Sequence, residues 1–308
     1  MTEPLPIVGD PRIHKRFLDA HVALLQEFPA IQNLADKIWT KTLERYNQQA
    51  ETELQGEALE KHTAIRLAQI IVFFLVRTAF DSFYDVFVLA GNCRGFAAKM
   101  MLRVMHEHLV TASFIAVKPE EAKQFDAHAS IQKWKVWTRT LDVLPQVKDL
   151  VAAEEITKLD EQQQHARAQL KSEICKKCGQ PVTQAAWTRV DAATMAEQVD
   201  AATGTHLAKL YASCYLMPTA LMHPTPFGLE TRLMRTENDE LVFNDMPESV
   251  AHDSLLRAHG LVLRLFSFVN DYFQLGLDAE IEARWATFPK IWDGALVDPP
   301  PETESETK

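Results

Sequence analysis

Arg103, Glu107 and His108 stand within one apolar stretch, GFAAKMMLRVMHEHLVTASFIAV (Gly95 to Val117). A further histidine, His223, closes a tyrosine-bearing stretch, YASCYLMPTALMHPTPFG. Arg and Glu four residues apart pair along a helix. An arginine and a histidine one and a half turns apart suit RNA cleavage without a metal: the imidazole moves a proton and the guanidinium stabilises charge on the phosphate. On that reading Arg103 polarises phosphate, His108 or His223 moves the proton, and Glu107 orients one of them. The alternative is a buried Arg103–Glu107 ion pair that fixes helix register, with His106 and His108 at a surface.

Other residues admit paired readings. Tyr211 and Tyr215, four apart, share one helix face and form a candidate binding surface. His223 ends that helix, held by Pro224 and Pro226. A helix C-terminus favours charged histidine, so His223 either pairs with Glu107 across a bundle or caps terminal carbonyls. KWKVWTR (Lys133 to Arg139) interleaves basic and aromatic residues, so Lys133 and Trp137 could bind and stack RNA bases. Otherwise Trp134 and Trp137 belong to the core and the lysines face water. Cys175 and Cys178 resemble half of a zinc knuckle. A structural zinc would need two more ligands, from Cys93, Cys214, His165, His206 or a second chain; the other reading is a reduced turn. No other cofactor is expected. His106, Glu107 and His108 diverge by about 100° each on a helix, so they do not converge on one ion unaided. Phosphate loops, nucleophile elbows, H-E-x-x-H and dinucleotide fingerprints are absent.

The elements that carry these residues read as helices. Phe96, Met100, Met101, Val104, Met105, Leu109 and Ala112 recur at helical spacing, and the charges among them require partners if buried. Pro11 to Gln49 is helical, with Pro29 expected to break it in two. Glu57 to Ala90 is one long helix, apolar nearly all round in its second half, as befits a bundle centre; Gly91-Asn92 is expected to end it. Pro119-Glu120-Glu121 opens the next helix. Helices are also expected at Ala192–Thr203, at 205–222, over Pro247–Gly276 and from Asp278 to about Trp292. Leu229–Phe243 reads as a small hairpin around Thr236–Asp239.

The expected fold is therefore all-α: a multi-helix bundle with a small hairpin or irregular excursion after His223. Residues 1–10 read as an irregular arm, 11–295 as a single helical domain, and 296–308 as a disordered acidic tail. The net charge of −10 over 308 residues argues against a broad nucleic-acid surface, though not against a local basic patch. The start, MTEPLPIVGDPR, does not resemble a secretory leader. The longest uninterrupted apolar run, Ile70–Val76, is too short to span a bilayer. A cytoplasmic location, reduced thiols and no membrane are expected.

Two resemblances go beyond single residues. The R-x4-H spacing of Arg103 and His108 resembles the HEPN ribonucleases, whose helical bundles pair so that two such motifs face one composite site; Val104 stands where that family has a polar residue. A longer pattern, carried by Arg103, Glu107, Pro119, Glu120, Trp187, Met195, Ala196, Tyr211, Tyr215, His223 and Pro224, resembles the DUF5677-like bacterial proteins of unknown function over roughly residues 80–230. That resemblance implies an all-helical fold with a shared Arg–Glu–His centre. Two functional expectations follow: a HEPN-like metal-independent ribonuclease of toxin or phage-defence type, acting on RNA; or a non-catalytic helical scaffold or sensor that binds a small anionic ligand or a protein partner. A homodimer through the last apolar helices is a further expectation.

Overall fold

Helical spacing of apolar residues carries through most of the breaks that the sequence offers. The computed structural model describes residues 11–48, 57–170, 173–174, 181–182, 186–235, 238–244 and 248–292. The arm at 1–10 and the acidic tail at 296–308 lie outside them. The fold is all-α with small antiparallel excursions, one of them a hairpin after His223.

The first helices are α1 (Pro11–Ala20) and α2 (Val22–Gln48), and Pro29 lies inside α2 instead of dividing it. The break falls at His21, whose Nδ1–H donates to the Phe17 carbonyl at 2.7 Å, replacing the backbone bond that a continuous helix would make there. Pro29 removes only one donor. The buried stripe Leu24, Ile31, Leu34 and Ile38 runs past it.

α3 (Glu57–Gly91) and α4 (Gly95–Val117) follow. Gly91 stays helical, and Cys93 takes the left-handed turn between them, with φ +55°. Asn92 stabilises the end of α3 by donating its side-chain amide to the Val88 carbonyl at 2.9 Å. Over His62–Gly91, α3 is long and apolar enough by length and composition to cross a membrane, so the short run at Ile70–Val76 understated it. Arg77 and Asp81 are nevertheless exposed on its outer side and paired at 3.4 Å.

Beyond these come α5 (Ala122–Val143), α6 (Ala153–Gln169) and a two-residue strand pair, β1 (Glu173–Ile174) with β2 (Pro181–Val182). α7 (Ala192–Thr203) is capped by Asp191, which accepts from the Thr194 N–H at 2.8 Å, and is ended by Gly204 at φ +70°. α8 (Leu207–Tyr211), a π-helical turn (Ala212–Leu216) and α9 (Met217–Met222) form one run. α10 (Pro226–Glu230) leads to the hairpin β3 (Leu233–Arg235) and β4 (Leu241–Phe243), registered Leu233 with Phe243. The chain then forms α11 (Glu248–Phe273) and α12 (Asp278–Trp292).

Contacts divide the chain into two compact units. The first draws on residues 1–51, 76–109 and 209–308. Its core gathers Phe80, Phe83 and Phe266, all at most 1% exposed, with Phe80 5.6 Å from both Phe266 and Trp39. α11 lies deep in this unit, with Leu255, Leu261, Val262, Leu265, Phe266 and Val269 all buried. The second unit draws on residues 52–75 and 110–208. There Ala127 and Ile131 of α5 cluster with Ala166 and Leu170 at α6, and Trp187 packs edge-on to Phe125 at 5.2 Å.

Candidate functional site

In the first unit, α4 points a polar stripe out of an apolar helix. Lys99, Arg103 and Glu107 follow one another at four-residue intervals, so they lie nearly in line along it. Helix α4 holds this stripe steady because Leu102, Met105 and Leu109 on its other side are fully buried.

Arg103 is the centre of the site. Its guanidinium carbon lies 4.9 Å from the centroid of the Tyr215 ring, and Tyr215 stacks on Tyr211 with centroids 5.1 Å apart and planes inclined by 17°. Nη1 of Arg103 donates to the Met222 sulfur at 3.4 Å, a weak acceptor. Nη2 lies 3.6 Å from the Glu107 carboxylate, close enough for an ion pair but too far for a hydrogen bond. Nε is buried and finds no acceptor among the described residues. A half-buried guanidinium thus keeps much of its donor capacity uncommitted. Glu107 is about half exposed, so the pair is not the buried one expected; a carboxylate at the rim retains its hydration and does not need to be held close.

The platform under Arg103 comes from a local irregularity. Within the run Leu207–Met222, the Met217 N–H reaches back to the Ala212 carbonyl, a π-helical bond. Pro218 explains it: proline has no N–H to donate, and in a regular helix its ring would press on the carbonyl four residues back. Widening the turn relieves that contact and turns Cys214 fully inward. Such π-turns recur at functional sites.

A second charged group lies beside Cys214. Lys99, only 12% exposed, pairs with Asp253 of α11, and Asp253 pairs with Arg257 at 2.7 Å. Burial pushes the Asp253 carboxyl up, but hydrogen bonds from Arg257 and Lys99 and their charges outweigh it and hold the pKa below the usual range. Burial raises the Cys214 thiol, against Ser213 and the nearby cations, so it stays protonated. Lys99, Asp253, Arg257 and Met222 escaped the sequence reading. The signals were present: Lys99 is four residues before Arg103, and Asp253 and Arg257 are a polar i, i+4 pair on the amphipathic helix α11.

The remaining residues fall in different places. His106 is fully buried rather than at a surface, its ring 6.3 Å from that of Tyr215. His108 donates Nδ1–H to the Val104 carbonyl at 2.7 Å. His223 is exposed with extended backbone. Among the described residues no hydrogen bond or ion pair joins its imidazole to Glu107 or caps α9; it adjoins the site only as the neighbour of Met222. In the second unit Lys133 is exposed and Trp137 half-buried, while Trp134 lies under Arg167 at 5.3 Å. Cys175 and Cys178 lie outside the described residues. Among the described residues no group of three His, Cys, Asp or Glu side chains could hold a metal. A cleft of about 380 Å³ between α2 and α12, lined by Asn33, Lys37, Glu280 and Arg284 among others, contains none of the residues around Arg103.

The model of a family of unknown function, DUF5677, matches residues 69–241, more than half of the 308 residues. The match takes in Arg103, Tyr211, Tyr215 and His223, and stops before Asp253 and Arg257. No curated protein matches the chain, and no solved structure does.

Proposed function

The chain belongs to the DUF5677 family of unknown function, and from that premise, which assigns no chemistry, we propose that it is a helical recognition module binding a small phosphate-bearing ligand at Arg103. The supporting observation is the guanidinium itself: stacked on Tyr215, joined to Glu107 only at 3.6 Å, and left among the described residues with a thioether as its one hydrogen-bond acceptor. Arginine's planar fork suits two phosphate oxygens at once. The tyrosine stack orients that fork before the ligand arrives, and exposed Glu107 can swing aside. Lys99 and Arg257 add positive field one turn along, partly offset by Asp253.

The test is calorimetric titration of inorganic pyrophosphate into the full chain, with a thermal melt in parallel. Binding raises stability by about 2.7 kcal/mol at a hundredfold excess over Kd. Arg103→Ala abolishes both signals while keeping the unliganded melting temperature. Absence of heat and of a melting shift at millimolar pyrophosphate would overturn the proposal.

A ribonuclease is the second reading, favoured by the Nδ1–H bond of His108 to Val104. That bond fixes the tautomer whose Nε2 carries the lone pair a general base needs. Incubation with total RNA in EDTA separates the two. Cleavage lost in Arg103→Ala and in His108→Ala or His223→Ala supports the enzyme; binding without cleavage supports the module.

A further inference from the structure

Large apolar side chains left in water are concentrated in one segment of the first unit. Leu216 at the end of the π-helical turn, Met217 and Met222 of α9, and Phe227 and Leu229 of α10 follow one another along the chain. Leu233, Met234, Leu241 and Phe243 come next on the hairpin, and all nine are 39% to 59% exposed. Monomeric soluble proteins rarely leave more than a few hundred Å² of contiguous apolar surface uncovered. If a large side chain presents about 150–200 Å², nine at half exposure offer on the order of 800 Å², one partner's share of a standard interface.

The hairpin makes the need for a cover sharper. All three β3 residues are exposed, as are both outer residues of β4. A lone two-stranded hairpin is barely stable in water. Its apolar residues alternate between faces, so each face leaves a large apolar side chain in water: Leu233 and Phe243 on one, Met234 on the other.

We propose that a second copy of the chain covers this surface, the hairpin of each copy lying on the α9–α10 surface of the other across a two-fold axis. An isologous contact needs both halves of the match on one chain, and here they are contiguous in sequence. Charge fits a like partner. The segment mixes Glu230, Asp239 and Glu240 with Arg232 and Arg235, whereas the net charge of −10 opposes an anionic lipid or nucleic acid as the occupant. The last helices, expected as the dimer contact, are poorly suited: α11 turns its apolar residues inward. The proposal does not depend on a ligand at Arg103.

Sedimentation velocity of the full chain across a micromolar concentration series tests it. The expected species is a dimer, strengthened by added salt because two copies of net charge −10 repel. Phe243→Glu on the hairpin and Leu229→Glu on α10 each give a monomer with unchanged circular dichroism. Val136→Glu and Val143→Glu, exposed on α5, leave the dimer intact. A monomer at every concentration, or a dimer that survives both Phe243→Glu and Leu229→Glu, overturns the proposal. So does a monomer that co-sediments with phosphatidylcholine vesicles, which would assign the surface to lipid.

Discussion

The guanidinium of Arg103 stacks on the ring of Tyr215 at 4.9 Å, joining α4 to the π-helical turn that precedes α9. The two residues are far apart in sequence, and the contact arises because Pro218 widens the turn that carries Tyr215. It places a planar donor group on a planar support, and among the described residues its buried Nε has no acceptor.

Arg103→Lys and Tyr215→Leu should therefore differ in degree. Lysine keeps the charge but loses the fork and the stacking, and pyrophosphate affinity should fall by tenfold or more. Tyr215→Leu keeps the fork but releases it from its support, a loss of about 0.5–2 kcal/mol, or roughly two- to thirtyfold. Calorimetry on both variants checks the order; equal and negligible effects would detach the stack from binding.

Among the described residues, Asp253 is the one carboxylate paired with both Lys99 and Arg257. Asp253→Asn leaves two partly buried cations without it and should cost about 3 kcal/mol, read from urea unfolding at neutral pH. The wild-type contribution is full above the unfolded carboxylate pKa. It is lost as pH falls through the depressed folded value, so the two proteins should converge in stability at low pH.

His259 offers a separate pH signature. It is fully buried on α11, accepts the Trp292 indole N–H at Nδ1 at 3.2 Å, and is pushed down by burial to a pKa of about 4. The unfolded chain takes up a proton near pH 6.5 and the folded chain does not, so stability falls as pH drops from about 6.5 to about 4. The contribution of this one group is roughly 3 kcal/mol. Denaturation series at several pH values should show a shallower decline for His259→Gln, which retains an acceptor for Trp292; an unchanged slope would contradict the assignment.

In the second unit, the Asp200 carboxylate caps α8. It accepts the Leu207 N–H at 2.6 Å and the Ala208 N–H at 2.9 Å. Asp200→Ala should cost about 1–2 kcal/mol and raise amide hydrogen exchange at Leu207 and Ala208 first.

Phe80 tests the aromatic core of the first unit. It is 1% exposed and meets Trp39, Phe83, Tyr84 and Phe266. Phe80→Ala should cost about 3–5 kcal/mol and lower the midpoint of chemical unfolding without changing the secondary structure of what remains folded.

Periodicity and turn chemistry are local properties, and the sequence alone carried them. Apolar spacing marked α4 at Gly95–Val117 and most of α11. Asn92, Gly204 and the prolines after His223 marked ends, and Thr236–Asp239 marked the hairpin. Even local rules misplaced one break, because the His21 imidazole competes for a backbone carbonyl that no propensity counts, and they ended α3 correctly at Gly91-Asn92 while missing that Cys93 adopts the left-handed angle. The partners of Arg103 were decided only in three dimensions. Tyr215 and Met222 reach it through a turn whose width depends on Pro218 and on packing against α4. Lys99 meets Asp253 because α11 buries its apolar face in the same core. A stripe on one helix specifies which residues face together; only the packing of several helices specifies what they face.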